Sequence, residues 1–79
     1  MKLSRHAQNN LRLYSITAAE IQQTIISPDH REREGNRILA YKKFPGRFAG
    51  LPLKVVYVLE KNEEMVITAY PLKKEYRRR

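Results

Sequence analysis

LKVVYVL, Leu53 to Leu59, EKNEE, Glu60 to Glu64, and MVITAY, Met65 to Tyr70, follow one another without a break, and their reading decides the fold. Apolar side chains fall on both faces of the first segment, the pattern of a central strand covered on both sides. The polar segment predicts a turn. MVITAY then returns as an antiparallel partner until Pro71, which has no N–H to give a ladder, stops it. Alternation puts Thr68 and Tyr70 on one face of the returning strand, and Tyr57 joins that face if the register permits.

Upstream, PGRFAGLP, Pro45 to Pro52, carries two of the three glycines and two of the four prolines and predicts a loop. RILAYKKF, Arg37 to Phe44, is rich in strand formers. DHREREGN, Asp29 to Asn36, has no apolar face and ends in a Gly-Asn turn signal, so it reads as a loop or an edge strand.

Two helices precede these segments. Ser4 caps the first, which runs to Leu13 or Tyr14 with Ala7, Leu11 and Tyr14 on one face. In ITAAEI, Thr17 and Glu20 have capping-box spacing, and Ile16 and Ile21 flank them as a hydrophobic staple does. The second helix starts there, with Ala18, Ile21 and Ile25 as its apolar stripe, and Ser27-Pro28 closes it. The resulting expectation is an α+β domain over residues 1–72, two N-terminal helices packed on a three- to four-stranded antiparallel sheet. A basic tail, 73–79, follows, with five cations in seven residues.

Seventy-nine residues make one small core, and 42% apolar with 30% charged residues suits a folded domain. Without cysteine there is no disulfide or thiolate site, which fits a reducing cytoplasm. No apolar run is long enough for a signal peptide or a membrane span. Sixteen Lys and Arg against eight Asp and Glu leave a formal charge of +8, a field that attracts polyanions. Nucleic acid, here RNA, is the natural polyanion partner, ahead of an acidic protein or a membrane surface, and the sequence has no basic amphipathic helix to support the membrane reading.

The two histidines and scattered carboxylates match no metal-site spacing, and Gly46 and Gly50 lack the strand, lysine and helix of a nucleotide-binding loop, so no cofactor is expected. Metal-free RNA cleavage needs an acid, a base and fixed positive charge. His6, second in its helix and beside free backbone N–H groups, is a candidate acid or base. His30, among charges of both signs, reads as a solvated loop histidine. Arg5, Arg33, Arg37 and Arg47 are candidate phosphate ligands, joined by Lys73, Lys74 and Arg77 of the tail. Tyr57, Tyr41 and Tyr70 are candidates for stacking on bases.

Ser4-x-His6-Ala7 opening a helix, Ile16-Thr17-x-x-Glu20 opening a second, a proline after it, VVYVL in the middle and VITAY near the end together resemble a small bacterial family of uncharacterised domains. That family is grouped with the RelE-like toxins, among the folds shared by barnase-type and colicin-type ribonucleases. The resemblance spans Leu3 to Tyr70. It implies helices on an antiparallel sheet, a metal-independent endoribonuclease and an acidic antitoxin partner. It also implies that His6, Thr68 and Tyr70 are catalytic, since the family's histidine and its late Thr-x-Tyr fall on them. Asn10 stands where the family usually has arginine, and Tyr14-Ser15 where it usually has Arg-Gly.

Overall fold

Both helices begin at the caps their sequences carry. Ser4 Oγ accepts the Ala7 N–H at 3.0 Å, starting α1 (Arg5–Leu13). Thr17 and Glu20 form the reciprocal capping box of α2 (Ala18–Ile26), at 3.1 and 2.9 Å. In the computed structural model, which describes residues 1–74, these helices lie on one face of a single sheet. Its strands are β1 (Lys2–Leu3), β2 (His30–Glu34), β3 (Arg37–Lys42), β4 (Leu53–Glu60) and β5 (Glu63–Pro71), in the order β1-β5-β4-β3-β2. A 3-10 turn spans Phe48–Gly50 between β3 and β4.

The α+β architecture is the one expected, but the sheet has five strands, not three or four, and is mixed. β2 takes the edge-strand alternative for the charged segment, paired antiparallel to β3. The fifth strand is β1, parallel to β5 through Lys2 opposite Met65 and Leu3 opposite Val66. Two residues are too few to show any period in sequence. They are held because Ser4 donates its N–H to the Val66 carbonyl and its hydroxyl to the Ile67 carbonyl, at 2.9 and 2.6 Å.

The first helix ends in a Schellman motif. Ile16 N–H reaches back to the Leu11 carbonyl, Ser15 N–H to that of Arg12, and both Ile16 and Leu11 pack in the helix-side core. Ser15 therefore adopts φ 54°, a left-handed conformation in which a side chain costs about 1–2 kcal/mol. Tyr14, expected on the buried face, is instead the C-cap and exposed. On α2, Ala18 is exposed and Thr24 takes its place in the stripe beside Ile21 and Ile25, its hydroxyl satisfied by the Glu20 carbonyl at 2.8 Å.

The core between helices and sheet gathers Ala7, Ile16, Ile21, Ile25, Ile38, Ala40, Leu53, Val55, Tyr57, Val66 and Ala69. Among the described residues no helix covers the other face, where Leu39, Tyr41 and Val56 form a second cluster with Ile67 and Leu72 against it. The segment read as a polar turn is a two-residue hairpin, Lys61 and Asn62 both at positive φ between paired Glu60 and Glu63. A bulge between Val56 and Tyr57 leaves Ile67 unpaired on β5, so Val66 lies opposite Tyr57 while Thr68 lies opposite Val56. That extra residue keeps Val66 under the helices and turns Thr68 to the open face.

Candidate functional site

The open face of the sheet carries one register row that crosses four strands. His30 of β2 is paired with Tyr41 of β3, Tyr41 with Lys54 of β4, and Lys54 with Tyr70 of β5. Period-two alternation puts all four on one side, about 5 Å apart from strand to strand. The Lys54 ammonium stands 5.7 Å from the centre of the Tyr41 ring and 5.7 Å from that of Tyr70, within cation–π range of both. The His30 ring lies 5.7 Å from Tyr41, tilted by 36°, and its Nε2 donates to Glu32 Oε2 at 2.9 Å.

Burial holds the Tyr41 phenol above its ordinary pKa, partly offset by Lys54 and reinforced by Glu32, so it keeps its proton at neutral pH. Burial also works against the charge on Lys54, but the Tyr70 and Tyr41 hydroxyls outweigh it and its pKa is raised. The row thus holds a fixed cation between two phenols, with a carboxylate-bound imidazole at its β2 end.

The β5 end connects to α1. Asn10 donates its side-chain amide to Thr68 Oγ1 at 3.2 Å and to the Ala69 carbonyl at 3.0 Å, tying the helix to the sheet edge. His6 is one turn earlier on the same side of α1, exposed, with no side-chain hydrogen bond among the described residues. Thr68 and Tyr70 share the open face, as alternation predicted.

The remaining sequence candidates do not converge on this row. Tyr57 is on the other face, 3% exposed in the helix-side core, because its register partner is Val66. Arg47 spends its guanidinium internally, Nε on Glu20 Oε2 at 2.7 Å, Nη2 on Glu20 Oε1 at 2.9 Å and on the Ser15 carbonyl. A phosphate would have to displace that fork. Arg5 and Arg33 are exposed, on α1 and on β2's helix-facing side, and Arg37 is exposed at the start of β3 on the open face, opposite Glu34. Lys73 and Lys74 are exposed just past β5. Arg77 and the rest of the tail beyond Lys74 lie outside the described residues.

His30, Glu32 and Lys54 were missed as a group. HRERE alternates in charge alone, so no apolar face marked it as a strand, and Lys54 looked like a lone polar interruption of LKVVYVL. Among the described residues no three His, Asp or Glu come together as a metal site, and no helix is long and apolar enough to cross a membrane. Comparison of the chain with protein-family models, with curated proteins and with solved structures finds no match.

Proposed function

We propose that this is a RelE-like toxin-type domain of the cytoplasm that binds RNA on the open sheet face and cleaves it without a metal. The observation that supports the reading most is the His30–Tyr41–Lys54–Tyr70 row, a fixed cation flanked by aromatic rings and hydroxyls on the sheet face opposite the two helices, in a chain with formal charge +8. Lys54 would hold the phosphate and stabilise charge as it builds on the non-bridging oxygens. The rings offer stacking to unpaired bases. His6, exposed one turn from the Thr68-bound Asn10, is the acid or base on the α1 side, and Thr68 and Tyr70 on β5 are the other catalytic residues that the resemblance implies. An acidic antitoxin-type protein would compete for the same cationic surface.

A specific observation favours a second assignment of the acid–base role. His30 is in the same register row as Lys54 and is oriented by Glu32 at 2.9 Å, whereas His6 lies beyond the edge of β5. The two imidazoles are separated by about three strand spacings of 5 Å or more, too far to serve one phosphate. A catalytically inactive RNA- or protein-binding module of the same fold is the alternative, favoured by Asn10, which brings no charge where the resembled family usually has arginine and whose amide is committed to β5.

Purified protein incubated with single-stranded RNA and a chelator tests the reading. The His6→Ala protein should fold and bind RNA while losing on the order of a hundredfold or more in cleavage rate. Wild-type rates in His6→Ala together with a comparable loss in His30→Ala would move the role to β2. Binding without cleavage by the wild type would leave the binding module.

A further inference from the structure

Beside the Lys54 row, a groove of about 510 Å³ opens between the 3-10 turn and the end of β5, in the size range of small-ligand sites. Its walls are aromatic and aliphatic, with Tyr14, Phe48, Leu51, Tyr70 and Leu72 among them, and Lys73 is the one charged lining residue among the described residues. Tyr70 belongs to both features, lining the groove while its ring faces the Lys54 ammonium. Tyr70 therefore has the Lys54 ammonium against its ring and shares the groove lining with Lys73, and among the described residues no carboxylate lines the groove.

The wall is built rather than left over. Phe48 and Ala49 both take left-handed backbone conformations, φ 56° and 54°, in sequence with Gly50 at 77°. Non-glycine residues hold such conformations only where surrounding structure imposes them. Here Arg47 imposes it. Its guanidinium is pinned by Glu20 and covers the Phe48 ring at 4.6 Å, while Phe44 meets that ring edge-on at 6.4 Å. The chain from the α2 capping box through Arg47 to Phe48 fixes the groove's shape before anything binds.

We infer that this groove is a nucleobase subsite, taking one unpaired base of a single-stranded RNA whose flanking phosphates meet Lys54 and Lys73. The inference rests on the RNA reading above and deepens it, because it makes single-stranded RNA, not duplex, the substrate class. An aromatic slot takes the face of any base, and the two cations beside it, Lys54 against the Tyr70 ring and Lys73 in the lining, take the backbone; a duplex cannot present a base to it.

The test compares three probes with equal numbers of phosphates: a short 2′-O-methyl single-stranded RNA, which lacks the nucleophilic hydroxyl, its abasic counterpart, and a duplex. Wild-type protein should bind the base-bearing strand roughly tenfold or more tighter than the abasic strand. Tyr14→Ala, at a residue 42% exposed and outside the core, should fold normally and shrink that difference several-fold while leaving abasic binding unchanged. Equal, salt-sensitive affinity for the base-bearing and abasic strands would overturn the subsite and leave the RNA reading standing. Failure to bind any of the three at low salt would overturn both. A wild-type dimer in sedimentation that Tyr14→Ala dissociates would overturn the subsite by assigning the groove to a second copy of the chain.

Discussion

Lys54 of β4 and Tyr70 of β5 stand directly opposite each other, and the same ammonium that lies 5.7 Å from the Tyr70 ring lies 5.7 Å from the Tyr41 ring on the neighbouring strand. A half-buried cation between two rings has a hydrophobic seat and keeps its charge. Replacing it with Lys54→Met retains the stem and removes only the charge. Stability should change by no more than about 1 kcal/mol, the size of an exposed cation–π contact. RNA cleavage should fall by about 10²–10³, as when a transition-state donor is removed. Thermal melts and single-turnover kinetics on the same preparation separate the two effects. Unchanged cleavage in a folded Lys54→Met protein would remove the row from the mechanism.

RNA affinity should fall at least tenfold between about 50 and 200 mM salt, because every phosphate neutralised by a lysine or arginine releases condensed counterions. Fluorescence anisotropy across that range reads the slope directly. A flat line would take nucleic acid out of the functional reading altogether.

Glu20 couples the α2 cap to the loop before the 3-10 turn, and its acid titration should be visible in stability. The hydrogen bonds from Arg47 hold its carboxyl below the ordinary value of 4.5, against the opposing effect of burial. A lowered folded pKa means that the contribution is fully present above about pH 4.5 and is lost as pH falls through the folded value below it. Denaturant midpoints measured downward from pH 6 should therefore drop more steeply in wild type than in Arg47→Met. Identical acid limbs would show that the pair contributes nothing to the fold.

Ser15→Gly should stabilise the domain. Ser15 holds the left-handed C′ position of a Schellman motif at φ 54°, the position that helices most often fill with glycine. Relief of about 1–2 kcal/mol of left-handed strain exceeds the extra backbone entropy that glycine loses, about 0.5–1 kcal/mol. The melting temperature should rise by about 3–6 °C, and Ser15→Val should lower it. A lower melting point for Ser15→Gly would show that the serine side chain makes a stabilising interaction of its own.

Local signals in this chain were legible where the physics is local. The Thr17/Glu20 box, the Ser4 cap, the β4–β5 hairpin and the shared face of Thr68 and Tyr70 depend on neighbours within a few residues, and all four stand in the structure. The partnership of Lys2 and Leu3 with β5 was not legible, since its stabilisation comes from Ser4 hydrogen bonds to residues more than sixty positions away. HRERE became a strand for a similar reason. β3 supplies the ladder, and the segment's own side chains carry no apolar period.

Sequence by itself determined that this is a small cationic α+β domain with two capped helices and a hairpin, because charge, caps and alternation are properties of short windows. Tertiary structure alone decided which cations form a site. Register aligned His30, Tyr41, Lys54 and Tyr70 into one row, and the unpaired Ile67 shifted β5 by one residue so that Val66 faces the core and Thr68 the open side. Simple alternation would have put those two on the same face. Arg47, indistinguishable by composition from any surface arginine, was drawn to Glu20 by the fold of the loop, and Tyr57 went to the core because Val66 was its partner. Side-chain identity is local, but which face a strand residue occupies depends on the whole ladder to which it is bonded.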